Sequence, residues 1–200
     1  LTQEDIIPDT SKRLAYWLGI ILHPYVVCIP TLFIVLDDLS FIEVIIWTAI
    51  VVGTLVIPGA FVSVYFRYQG KYVYQRKTRT PLYIIGWMSL LAGFLLVQLL
   101  NGPRVLLICL VALMVWIPIQ LIINSRYTKI STHLAVITGC STGLFMLDKL
   151  PHPIYGIGLL IMIALTGWAR YQTKNHTLEQ IILGILVGGG SVVVVFSILL

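Results

Sequence analysis

Arg170, His176 and Gln180 follow one another as Arg, five residues, His, three residues, Gln, just ahead of a long apolar run. A second histidine, His133, follows closely on Lys129 and Ser131. A third basic stretch carries Arg76 and Arg79 just before Pro81. These residue types suit phosphoryl transfer, which needs positive groups around the equatorial oxygens, an in-line nucleophile and an acid for the leaving oxygen. Two imidazoles, titrating near neutral pH, can share the last two tasks. One attacks phosphorus while neutral and forms a covalent intermediate. The other, protonated, donates to the leaving group and then activates water.

The elements that must position these groups are membrane helices. The chain has 200 residues, 58% hydrophobic and only 10% charged, against about 25% charged in soluble domains. A spanning helix takes roughly 20 mainly apolar residues. Seven segments qualify by pattern: Leu14–Leu36, Phe41–Phe66, Leu82–Leu100, Val105–Ile123, Leu134–Leu147, Pro153–Trp168 and Ile181–Leu200. The fifth is the shortest and holds Thr138, Gly139, Ser141, Thr142 and Gly143. Such small residues fit a helix packed in the middle of a bundle, although a re-entrant segment has the same length. Lipid excludes irregular backbone. The expectation is therefore an all-α, polytopic transmembrane helix bundle of about seven spans, six being the alternative. Residues 1–13 read as a polar tail and residues 14–200 as one transmembrane domain. No cleavable signal peptide is read, and because the chain opens on Leu1 its natural start is expected further upstream. Cys28, Cys109 and Cys140 lie in apolar segments without metal or disulfide spacing and read as small hydrophobes.

Seven spans sort the loops onto two faces. One face takes all but two of the 13 Lys and Arg residues, the exceptions being Arg104 and Lys149. Asp37, Asp38, Glu43 and Asp148 join that pair on the other face. The positive-inside rule puts the basic face in the cytoplasm; a site for anions gives the same asymmetry. Three junctions on the basic face carry the polar constellation. In the first, Arg76 and Arg79 share a side of a helical turn. In the second, Ser131 or Thr132 is a natural N-cap, with His133 in the first turn, where free N–H groups and the helix dipole favour an anion. In the third, His176, Gln180, Gly184 and Gly188 form one i+4 stripe. Its glycines allow a neighbouring helix to come close, so the stripe, with its histidine, faces the bundle interior. His23-Pro24 inside the first segment reads as a kink.

The spacing resembles that of the type-2 phosphatidic acid phosphatase family, membrane lipid phosphatases with three motifs. Ala169-Arg170, five residues, His176, three residues, Gln180 is similar to the third motif, which ends on Asp. Ile130-Ser131-Thr132-His133 resembles the second, Pro-Ser-Gly-His. Arg79, with Pro81 one residue late and Lys71 or Lys129 as the lysine, approximates the first. The resemblance implies that His176 is the nucleophile and His133 the general acid. Arg170, Ser131 and Arg79, with Lys129 and Arg76, would hold the phosphate. Gln180 stands where the family has the Asp that orients the nucleophilic histidine. It can accept the same hydrogen bond but brings no charge. The expected function is an integral membrane phosphatase that hydrolyses a lipid phosphate or prenyl diphosphate through a phosphohistidine intermediate. Its partners would be membrane lipids and not nucleic acid, with no cofactor and no metal. The plasma (inner) membrane is the expected location. The alternative is a phosphatase-like membrane subunit or lipid-binding scaffold without turnover. A transporter ranks third, because its ionisable groups belong at mid-membrane.

Overall fold

The computed structural model describes residues 10–70 and 76–200, with backbone only for residues 76 and 77. Among the described residues every regular element is helical. The helices are α1 (Thr10–Ile21), α2 (Pro24–Val35), α3 (Phe41–Val51), α4 (Ile57–Tyr68), α5 (Arg76–Leu99), α6 (Arg104–Arg126), α7 (Thr132–Met146), α8 (Pro153–Gln172) and α9 (Leu178–Leu199). A π-turn at Val52–Val56 joins α3 to α4 in one 28-residue rod. The starts are written locally. Ser40 and Glu43 form a reciprocal capping box on α3, and Thr177 and Gln180 form one on α9. Pro24 and Pro153 open α2 and α8, where a missing N–H is harmless. Inside α6, Pro118 cannot bond the Met114 carbonyl, and the Trp87 indole N–H donates to that carbonyl at 3.2 Å instead.

Among the described residues, five helices are long and apolar enough to cross a membrane, the α3–α4 rod counting as one, and six if the α1–α2 pair, bent by 44°, counts as one broken span. The chain is thus an all-helical, multi-pass membrane protein. The expected first span, Leu14–Leu36, is two helices that break at His23. The expected fifth span is α7, whose 15 residues reach roughly 22 Å, short of a hydrocarbon core of about 30 Å. Even so, α7 runs from the basic end of the bundle to the other. Its first turn lies beside the α8–α9 junction, where the Ser131 N–H meets the Gln180 carbonyl, and past its last turn Lys149 pairs with Asp37 and Asp38 beyond α2. Arg104 donates to the Leu199 carbonyl at 2.8 Å, tying the start of α6 to the end of α9. Among the described side chains the cations at the basic end separate into two groups: Lys12, Arg13, Arg67, Arg126 and Lys174 are exposed, whereas Arg79, Lys129 and Arg170 are half-buried.

The packing of α9 on α7 decides the rest. A Cβ on Gly184 would lie 2.6 Å from the Ser131 carbonyl oxygen, and one on Gly188 would overlap the Ala135 backbone, 2.5 Å from its Cα. The stripe predicted from i+4 spacing therefore faces inward, and the helix it meets is α7. Backbone cannot retreat as a side chain can, so a methyl group at Gly188 must separate the helices. Overpacking of this kind costs about 1–3 kcal/mol. Gly188→Ala is expected to lower the unfolding temperature in detergent by several degrees. Gly190→Ala, at a glycine with nothing within 4 Å of its added Cβ, should leave it unchanged or raise it. Equal effects of the two changes would refute the close approach.

Candidate functional site

The site is assembled at the basic end from the N-termini of α7 and α9, the last turn of α8, α5 and the α1–α2 break. The carbonyl of Arg170 accepts from the backbone N–H of Asn175 and of His176, at 3.1 and 3.2 Å, which folds the α8–α9 turn back on itself. Lys174 takes a positive φ in that turn. His176 is thereby buried, with 8% of its surface exposed. Its Nδ1 lies 3.0 Å from Gln180 Oε1. The Gln180 amide is oriented by two further bonds: Oε1 accepts from the Thr177 N–H at 3.3 Å, and Nε2 donates to Thr128 Oγ1 at 3.1 Å. Oε1 can only accept, so Nδ1 of His176 carries the proton and Nε2 keeps its lone pair. Glu179, the residue before Gln180, lies close to the Tyr127 hydroxyl.

The 127–131 loop is pinned to α9 by the Ser131 N–H, which donates to the Gln180 carbonyl at 3.0 Å. Ser131 is fully buried, and its Oγ caps α7 by accepting from the Leu134 N–H at 3.5 Å. Arg79 reaches across from α5, and its Nη1 donates to the Ile130 carbonyl at 3.1 Å. Lys129 lies close enough to Arg79 to feel its like charge. Thr132, beside His133, accepts from Gln120 Nε2 at 2.9 Å, and the same amide bonds the Tyr83 hydroxyl at 2.7 Å.

Arg170 approaches from α8. Its guanidinium lies against Gly19 of α1 in space that any Cβ there would occupy. Its Nε is buried without a hydrogen-bond partner, as is Nε2 of His133. His133 feels the charges of Arg170, His23 and His176, and its ring is in hydrogen-bonding range of the Gly19 backbone.

Burial pushes the His176 imidazole down to about 4, and the nearby charges of Arg79, Lys129 and Arg170 push the same way. The hydrogen bond to Gln180 opposes this. His176 is therefore neutral at pH 7. Burial also lowers Lys129 from the ordinary lysine value, with Arg79 adding to the effect. Two capped helix N-termini point into the same region. The arrangement offers a neutral imidazole nitrogen beside three cationic side chains, a suitable cradle for a phosphate group.

Of the residues singled out in the sequence, His176, Gln180, His133, Arg170, Lys129 and Arg79 come together. Ser131 comes with them but is spent on the helix cap and has no exposed surface. The Arg76 side chain and all of Lys71 lie outside the described residues. Three participants were missed. His23 was read as a kink only; a histidine before a proline in an apolar run was its signal. For Gln120 the signal is an amide inside an apolar helix, which it shares with Asn124 one turn on. Thr128 gave no signal, because its role depends on the fold. Among the described residues, no group of three or more His, Cys, Asp or Glu side chains is placed to hold a metal. Comparison with protein-family models, curated proteins and solved structures finds no match.

The tautomer and charge of His176 can be read directly. In histidine-labelled protein, NMR titration should give His176 a midpoint well below the ordinary imidazole range, with the proton on Nδ1. Gln180→Glu, which is isosteric but anionic, should move that midpoint upward, since a neighbouring carboxylate favours the imidazolium. An unmoved midpoint would mean that Gln180 does not contact the ring.

Proposed function

We propose that this protein is an integral membrane phosphatase that hydrolyses a lipid phosphate or prenyl diphosphate. The observation that carries this reading is the meeting of His176 and His133 with Arg79, Lys129 and Arg170 at one end of the bundle. In this mechanism the cations hold the phosphate oxygens. Nε2 of His176 attacks phosphorus, the bond to the leaving oxygen breaks, and His133, protonated once the negative charge of the bound phosphate lies beside it, delivers its proton to that oxygen. The products of this half are a free alcohol, or a lipid monophosphate from a diphosphate, and phosphohistidine. Water then attacks phosphorus, gives a proton back to His133, and frees inorganic phosphate and neutral His176. The substrate's apolar tail stays among the lipid-facing helices. The plasma membrane, with the basic end in the cytoplasm, is the location this reading assumes.

The lowered titration of His176 sets the pH dependence. A nucleophile must be unprotonated, and a depressed midpoint keeps it so as pH falls from 7 toward about 4. The acid limb of kcat/KM, which reports the free protein, is expected near 4.

The deciding experiment is phosphate release by purified protein from a panel of lipid phosphates and diphosphates, with rapid acid-free quenching to capture phosphohistidine. Wild type should turn over and accumulate label on histidine, and His176→Ala should abolish both. His133→Gln should slow release by about 10²–10⁴-fold, the usual worth of a general acid. Undiminished release by His176→Ala would sink the mechanism.

A second reading has its own support. Gln180 is held by bonds to His176, Thr177 and Thr128, and it lacks the charge that would stabilise a cationic imidazole. A non-catalytic phosphate-binding scaffold would keep the cradle in this form. Tight binding of a lipid phosphate without release, together with turnover appearing in Gln180→Asp, would favour it; robust wild-type turnover would remove it.

A further inference from the structure

The chain contains two His-Pro helix starts built alike. His23 precedes Pro24 and accepts from the Tyr25 N–H through Nδ1 at 3.4 Å; His152 precedes Pro153 and accepts from the Ile154 N–H through Nδ1 at 3.3 Å. As caps they are equivalent. Their surroundings are not. His152 is exposed at the end of the bundle opposite the site. The His23 ring stands edge-on to His133, with centroids 5.2 Å apart and planes at 85°, and it lies within electrostatic reach of Arg170.

We infer that His23 is a positioning residue for His133, holding that ring so that its Nε2 faces the leaving-group side of the phosphate site. This inference rests on the reading of His133 as the general acid. Nε2 of His133 has no hydrogen-bond partner in the protein, so nothing bonded to that nitrogen stops the ring from turning about its bond to Cβ. Its surroundings must hold it. The Gly19 backbone, in hydrogen-bonding range of the ring, is one contact and the His23 ring is another, the latter in an edge-to-face arrangement favoured for aromatic pairs. His23 is itself held by the bond from Tyr25, by the adjacent proline and by the Tyr25 ring at 5.1 Å. Gly19 and His23 lie one turn apart, so the α1–α2 break sets both contacts on His133 together with the Gly19 contact on the Arg170 guanidinium. The 44° bend then has a use beyond fitting two helices into one pass.

The test compares two substrates of different leaving-group demand. Dodecyl phosphate expels a poor leaving group and needs an acid; p-nitrophenyl phosphate expels a good one and does not. His23→Gln keeps an acceptor at the cap and removes the ring. It is expected to slow the burst of dodecanol, released before the phosphohistidine hydrolysis common to both substrates, on the order of ten- to a hundred-fold, as ångström-scale misplacement of a catalytic group does, while sparing the burst of p-nitrophenol. His23→Phe restores an aromatic edge and should recover most of the loss. His152→Gln removes the matching cap ring elsewhere and should change neither substrate. Equal losses on both substrates in His23→Gln, or no loss, would overturn the inference. His133→Gln is run alongside: a selective loss there with an unselective His23→Gln result overturns only the placement by His23. An equal loss on both substrates in His133→Gln overturns the acid role itself.

Discussion

Everything at the basic end depends on how closely α9 approaches α7. Gly184 and Gly188 let the two backbones meet where a methyl group would overlap the Ser131 and Ala135 main chain. At that separation the Ser131 N–H reaches the Gln180 carbonyl, and one backbone bond joins the two junctions that carry the histidines. In lipid there is little hydrophobic drive to press helices together, so close packing and hydrogen bonds must do it. The glycines thus hold His176 and His133 in one site although they are far apart in the sequence.

A site built this way has an electrostatic cost. Arg79, Lys129 and Arg170 are half-buried around two imidazoles. Burial, with the charge of these cations on the ring, keeps His176 neutral, and burial with Arg79 beside it lowers Lys129. An anion carrying two negative charges is the natural counterpart of such a cluster. Lys12, Arg13, Arg67, Arg126 and Lys174 at the same end are exposed, which sets them apart from this cluster although the sequence shows both as one basic flank.

Gln180 joins both themes. It closes the capping box on α9, fixes the loop through Thr128 and sets the His176 tautomer. An amide does these things as well as a carboxylate does, and its donor side gains Thr128 as a partner. What it lacks is charge. The orientation of the His176 imidazole is therefore kept without the charge that would stabilise its cationic form.

The sequence by itself determined the helical membrane class, most of the span limits, the inward stripe of His176, Gln180, Gly184 and Gly188, and the three junctions with their cations. These follow from local periodicity, apolar run length and i+4 spacing, which need no knowledge of neighbours. Only the tertiary structure decided that the first pass breaks at His23, that α7 is short yet connects the two ends, and that Ser131 rather than Thr132 is the cap and is fully buried. It also decided that His23, Thr128 and Gln120 join the site. Each depends on which helix lies against which, and helix contacts are set by side-chain packing between segments that local pattern does not encode.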